Sequence, residues 1–175
     1  MKEFFVVNGF ISDEDCDGMI DFINSLPEEA FIQKDDGRLT VCDQDIPYST
    51  NFINKYTPKV QQHLKGNHEV RTFFLSVYPV GAGLGAHTDE YEEALKDDMG
   101  VIFILNTKYL GGRIYLEEFN HTYNPRKGDA VFFPVNRYRH EVTPVTDGVR
   151  YTVPLQYSNV EGQALPFLLD KSKRE

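Results

Sequence analysis

The spacing of apolar residues changes once along this chain, near residue 70, from a helical period to a strand period. At the start, Phe4-Phe5-Val6-Val7 reads as a short strand ended by Asn8-Gly9. Ser12 followed by Asp13, Glu14 and Asp15 marks a helix N-terminus, with a hydroxyl at the cap, an acid three residues on and negative charge in the first turn. Cys16, Met19, Ile20, Ile23 and Leu26 recur at helical spacing, which predicts an amphipathic helix to about Leu26, stopped by Pro27. Residues 34–48 are polar and rich in Asp, with a turn at Asp36-Gly37, and predict a loop or irregular hairpin. A second helical region is expected over 49–65, with Pro58 in the first turn of its latter part and Gly66-Asn67 closing it.

Beyond residue 70 the runs are short and alternating: 70–78, 101–105, 113–116, 130–133, 139–143 and 149–157. Turn signals separate them, among them Gly81-Ala82-Gly83, Gly111-Gly112, Asn124-Pro125, Lys127-Gly128-Asp129 and Asp147-Gly148. Regular short strands between Gly and Pro turns indicate an antiparallel sandwich or barrel. The fold class is therefore α+β, mainly β, with helices first and an all-β core after them. One domain over 1–175 is expected, divided into helical support at 1–69, the core at 70–158 and a tail at 159–175. The apolar cluster Leu165-Pro166-Phe167-Leu168-Leu169 in that tail is expected to pack back on the core.

Composition narrows the class without changing this architecture. The chain has 175 residues, 41% hydrophobic and 26% charged, enough to bury a core without disulfides or structural zinc. Cys16 and Cys42 form no Cys-x-x-Cys pattern, and Cys16 falls on the apolar helix face as buried filler. A net charge of −9 argues against a surface that tracks nucleic-acid phosphates. The first apolar run is too short for a signal-peptide core, and nothing approaches ~18 consecutive apolar residues. A cytoplasmic protein without a membrane partner is the expectation.

Candidate chemistry begins at His87-Thr88-Asp89, where residues i and i+2 of extended chain turn an imidazole and a carboxylate to one side. His63, His68 and His121 sit in or beside polar segments and read as surface or capping residues. His140 lies in a short strand before a turn at 143–148 that leads back into Val149-Arg150-Tyr151. A hairpin there would set His140 opposite Arg150 and so on the same face, provided the register is right. Two neutral imidazoles and one carboxylate make the facial triad that leaves positions open on non-haem Fe(II), although zinc accepts the same set. A 2-oxo acid chelating such an iron needs a cation for its distant carboxylate, and arginine supplies a fixed charge and a bidentate fork. The alternative for Arg150 is an internal pair with Glu141 or Asp147, or exposure to water. Gly81-Ala82-Gly83-Leu84-Gly85-Ala86 fits a loose dinucleotide pattern, but no amphipathic helix follows, so it reads as a loop entering the metal strand. The acidic stretch 90–98 is either a solvated loop or a lip attracting a basic peptide.

These residues resemble the 2-oxoglutarate- and Fe(II)-dependent oxygenases, and within them the prolyl 4-hydroxylase-like branch. The resemblance rests on His87-x-Asp89, His140 and Arg150, and on motifs in matching order over most of residues 5–158: Asn8-Gly9-Phe10-Ile11-Ser12-Asp13, Tyr78 with Gly81, Leu105-Asn106 before Gly111-Gly112, and Lys127-Gly128-Asp129-Ala130-Val131-Phe132-Phe133-Pro134. It implies a double-stranded β-helix (jelly-roll) core with supporting N-terminal helices. It also implies that His87, Asp89 and His140 hold Fe(II) and that Arg150 binds the 2-oxoglutarate carboxylate. Tyr78 is either a cosubstrate hydrogen-bond partner or a core aromatic. Dioxygen is the implied co-reactant, with ascorbate as a further reductant. The implied reaction hydroxylates an unactivated C–H bond of a peptidyl proline and releases succinate and carbon dioxide. The carboxylate of Asp89 favours hydroxylation over the halogenation of relatives that lack it. Ile104, where relatives often have an aromatic residue, and Gln156, where some have Trp, put the substrate pocket in doubt. The competing readings are the same scaffold acting on a free amino acid, a small metabolite or nucleic acid, with Arg137 and Arg139 the only basic support for the last, and a non-catalytic β-barrel that binds metal.

Overall fold

Burial of one face of each element organises the computed structural model, which describes residues 4–41, 47–89 and 98–159. Helix α1 (Asp13–Ser25) starts at the expected cap: the Ser12 hydroxyl accepts from the Asp15 N–H at 3.2 Å. Cys16, Met19 and Ile23 form its buried stripe. Helix α2 (Pro47–Gln61) begins on a proline, whose missing N–H costs nothing at the first helical position. Contrary to expectation, Pro58 lies in the interior of this one helix, where it removes the hydrogen bond to the Asn54 carbonyl. Phe52, Ile53, Tyr56 and Val60 bury against the same core as α1, and that packing holds the helix through the proline.

The strands are β1 (Phe5–Val7), β2 (Ile32–Gln33), β3 (Leu39–Val41), β4 (His68–Phe73), β5 (Leu75–Tyr78), β6 (Leu84–His87) and β7 (Met99–Ile104). They continue as β8 (Tyr109–Gly111), β9 (Ile114–Leu116), β10 (His121–Tyr123), β11 (Ala130–Phe133), β12 (His140–Val142), β13 (Val145–Gly148) and β14 (Arg150–Asn159). The major antiparallel sheet runs β1-β11-β7-β14-β5-β3-β2, with β4 on the far half of β14. The expected strand 70–78 is thus two strands broken at Phe74, whose N–H reaches the Pro154 carbonyl at 3.0 Å. Of the segment 34–48, read as a loop or irregular hairpin, residues 34–41 supply the turn and second strand of a hairpin, β2 pairing with β3 across Asp36-Gly37 and β3 extending the major sheet, whereas 47–48 already belong to α2. A second sheet, β10-β9-β12-β6, and the pair β13-β8 complete a jelly roll.

Period-two alternation sorts the major sheet's side chains. Val101, Phe103, Phe132, Val153, Leu155 and Tyr157 face the helices. Ile104, Val131 and Phe133 face inward, where they meet Ile114 and Leu116 of the second sheet. Asp129 ties the N-terminal segment to this core, accepting from Asn8 Nδ2 at 3.0 Å, from the Arg126 N–H at 2.9 Å and from the Tyr123 hydroxyl.

Two expectations fail here. His140 and Arg150 do not form a hairpin pair. His140 stands opposite His87 and Leu116 in the second sheet, and Arg150 opposite Tyr78 in the major one. Between them β13 pairs with β8, carrying the chain from one sheet to the other. His68 is not a surface residue: it is 2% exposed, and neither ring nitrogen has a hydrogen-bond partner among the described residues. His63 and His121 are exposed, as expected. Strands β8, β10 and β13 fall outside the predicted runs because three or four residues are too short to show a period. Cys42, the acidic residues 90–97 and the apolar cluster 165–169 lie outside the described residues. No helix among the described residues is long and apolar enough to cross a membrane.

Candidate metal centre

His87 ends β6 and His140 starts β12, and because these strands pair antiparallel the two rings face each other with centroids 4.3 Å apart. Asp89, two residues past His87, is held by a 2.9 Å hydrogen bond from its own N–H to the Val135 carbonyl. The donor atoms of His87, Asp89 and His140 all lie within 4.8 Å of one another. Sequence spacing supplied two members of this cluster, and pairing of strands more than fifty residues apart supplied the third.

Both imidazoles are oriented the same way. The Nδ1 of His87 lies 2.8 Å from the Gly85 carbonyl, and that of His140 lies 3.0 Å from the Tyr138 carbonyl. A carbonyl can only accept, so each Nδ1 carries the proton and each Nε2 offers its lone pair inward. Burial pushes the His140 pKa down and keeps that ring neutral, as a ligand must be. Contact with Asp89, whose Oδ1 is 3.1 Å from His87 Nε2, raises the His87 pKa instead. Burial alone would raise the Asp89 carboxyl. The neighbouring His87 ring and the hydrogen bond from Gln156 outweigh it and hold the Asp89 pKa below the usual carboxylate range. Two oriented imidazoles and a carboxylate fit a divalent transition metal with positions left open.

A cavity of about 310 Å³ extends from this cluster into the jelly roll. Arg150, Thr152, Pro154 and Gln156 alternate onto its wall from β14, and Ser76 and Tyr78 from β5. Arg150 is fully buried, and none of its three guanidinium nitrogens has a hydrogen-bond partner among the described residues. Its guanidinium carbon stacks 4.6 Å from the centre of the Tyr78 ring. Neither Glu141 nor Asp147 pairs with it, and it does not face water, so both alternatives for Arg150 fail. Asn106 straddles Arg150 along the backbone, donating to the Val149 carbonyl at 2.7 Å and accepting from the Tyr151 N–H at 3.0 Å. Gly112 makes room for the side chain: a Cβ there would lie 2.8 Å from Arg150 Cδ.

A buried cation without an anion is costly, and a carboxylate entering this end of the cavity could relieve that cost. Tyr78 is buried and serves as the ring on which Arg150 rests, within both a core cluster and the cavity wall.

Two residues escaped the sequence reading as site residues. The Tyr109 hydroxyl is buried with no hydrogen-bond partner among the described residues; burial raises its pKa and the nearby Arg150 charge offsets part of that rise. No local pattern marks Tyr109, because β8 is three residues long. Gln156 donates to Asp89 Oδ2 at 2.9 Å. Its even spacing from Arg150 along one strand was a usable signal.

Residues 73–157 match the model described as the 2OG-Fe(II) oxygenase superfamily. Solved structures share the fold. The viral collagen prolyl hydroxylase of Paramecium bursaria Chlorella virus-1, determined as a 2-oxoglutarate complex, is 19% identical with a TM-score of 0.69, over 91% of this chain and 97% of that one. A Trichoplax adhaerens prolyl hydroxylase in complex with a hypoxia-inducible-factor degradation-domain peptide is 18% identical, TM-score 0.73, over 95% and 88%. A non-haem 2-oxoglutarate-dependent epimerase of nogalamycin biosynthesis is 13% identical, TM-score 0.74, over 99% and 89%. No curated protein sequence matches the chain.

Proposed function

We propose that this chain, whose residues 73–157 match the 2OG-Fe(II) oxygenase superfamily, uses His87, Asp89 and His140 to hold its iron and Arg150 to hold its cosubstrate. It is a 2-oxoglutarate-dependent dioxygenase with Fe(II) and 2-oxoglutarate as its cofactors. The observation that carries the site assignment is the fully buried Arg150 guanidinium, unpaired in the wall of the cavity that the three ligands also line. Its planar fork suits one carboxylate in two parallel hydrogen bonds, and the Tyr109 hydroxyl beside it offers a further donor. The Tyr78 ring supports the guanidinium, whose carbon lies 4.6 Å from the ring centre. Iron in this site would supply dioxygen activation coupled to decarboxylation of the cosubstrate. The chain's own part is to orient two neutral imidazoles, keep Asp89 ionised and line the remaining space with apolar groups. Ile102, Ile114, Phe133, Val135 and Val142 do the last, limiting the water that reaches the reacting atoms.

The substrate assignment is a peptidyl proline, hydroxylated at an unactivated C–H bond with release of succinate and carbon dioxide. Its support is the group of prolyl hydroxylases among the similar structures, two of them described above and a third from Pseudomonas putida at 15% identity and TM-score 0.71. The test is turnover of a library of proline-containing peptides with Fe(II), 2-oxoglutarate, dioxygen and ascorbate, read by a mass gain of about 16 Da in the peptide and by succinate. The same assay on free amino acids is its control. Succinate formed without peptide oxidation, together with oxidation of a free amino acid, would move the substrate class while leaving the oxygenase reading intact. Absence of succinate from iron-loaded protein under every condition would leave a metal-binding barrel.

A further inference from the structure

We propose that Gln156 is the positioning residue of the metal centre, and that a Thr72–Gln156–Asp89 relay fixes which oxygen of Asp89 faces the metal. The inference rests on the ligand assignment above. Gln156 is 8% exposed and sits on the central strand β14, between Thr72 of β4 and Gly100 of β7 in the sheet register. Its Nε2 donates to Asp89 Oδ2 at 2.9 Å, and its Oε1 accepts from the Thr72 hydroxyl at 3.1 Å. The first contact settles the orientation of the amide. An ionised carboxylate only accepts, so Nε2 faces Asp89 and Oε1 is left to accept from the Thr72 hydroxyl, where a flipped amide would set two acceptors against each other.

The geometry at Asp89 follows. Oδ2 is engaged by Gln156, while Oδ1 is the oxygen 3.1 Å from His87 Nε2, on the side of the ligand cluster. The Asp89 N–H is already bonded to the Val135 carbonyl, so backbone and side chain are fixed by different elements. Gly100, beside Gln156, permits the approach of that carbonyl's residue: a Cβ there would lie 2.2 Å from Val135 Cγ1. A carboxylate held this way presents one oxygen, which leaves the remaining coordination positions open instead of closing one with its second oxygen.

Gln156→Met tests this, because it keeps the volume and removes the donor. Thr72→Val removes the contact that anchors the far end of the amide, without touching Asp89. Co(II) serves as the probe, added alone, with affinity read by titration and coordination read from its visible absorption. Urea unfolding of each variant without metal controls for the fold. The expected result is a loss of Co(II) affinity of about tenfold or more for Gln156→Met, with a changed visible band and an unfolding midpoint near that of the parent. A smaller loss in the same direction is expected for Thr72→Val. Gln156→Met that binds Co(II) within twofold of the parent, with the same spectrum, overturns the relay and leaves the ligands in place. A parent protein whose Co(II) binding is absent, or is unaffected by Asp89→Asn, overturns the ligand assignment and the relay with it.

Discussion

Replacing Arg150 by Met should separate two quantities that usually move together, the stability of the cosubstrate-free protein and its affinity for 2-oxoglutarate. In the free protein the guanidinium is fully buried, lacks hydrogen-bond partners among the described residues and rests on the Tyr78 ring. Replacing buried charge with an apolar side chain of similar volume is neutral or stabilising by about 1–4 kcal/mol. Losing the ring contact removes about 0.5–2 kcal/mol. The net runs from about 2 kcal/mol less stable to about 3.5 kcal/mol more stable than the parent, which for this size is a Tm change of roughly −8 to +14 °C. Binding moves one way only. Two charge-assisted hydrogen bonds at about 1.5–3 kcal/mol each make the loss about 3–6 kcal/mol, or roughly 10²–10⁴ in Kd. Thermal unfolding without ligand gives the first quantity, and calorimetric titration of metal-loaded protein with 2-oxoglutarate the second. An Arg150→Met protein that loses more than about 8 °C of Tm and still binds 2-oxoglutarate normally would refute the reasoning and make Arg150 a structural residue.

Three further outcomes follow from particular contacts. Gly112→Ala forces a Cβ into left-handed backbone at φ +58° and against Arg150 Cδ and Tyr109. It should destabilise by about 1–2 kcal/mol from the backbone alone and raise the KM for 2-oxoglutarate, checked by urea unfolding and succinate assay. Cys16 is fully buried and its thiol is pushed up to about 12 by that burial. In a Cys42→Ser background at pH 8 only about one molecule in ten thousand carries the thiolate, so maleimide labelling should follow unfolding and not precede it; labelling within minutes of the native protein contradicts the packing. Asp15 is held below its usual pKa by hydrogen bonds from Lys55 and Tyr56. A depressed folded pKa adds stability above the unfolded value near 3.8 and loses it as pH falls through the folded one. Asp15→Asn should therefore unfold at lower urea than the parent at pH 7, and the gap should close below about pH 4.

Several elements were legible because their signals are local. The Ser12 cap, the α1 stripe of Cys16, Met19 and Ile23, and the strand at 130–133 all stand where the periodicity put them. His87 and Asp89 were legible as a pair because extended chain places i and i+2 on one side. Pro58 was misread because local propensity makes proline a boundary. The burial of Phe52, Ile53, Tyr56 and Val60 against the β core keeps one helix running through it.

The sequence by itself determined the alternation of inward and outward residues, the identity of the chemical groups and the order in which they occur. Those follow from covalent geometry and the two periods, 3.6 and 2. Tertiary structure decided which strands meet. His140 joins His87 through β12 and β6, and Arg150 joins Tyr78 on the opposite sheet, because the chain between them leaves to pair β13 with β8. Nothing within ten residues encodes that crossing. It depends on closing long loops so that both sheets bury their apolar faces at once. The same closure seals Arg150 away from water beside Tyr109 and brings Gln156 to Asp89. The chemistry was written in the residues, and long-range burial made it a site.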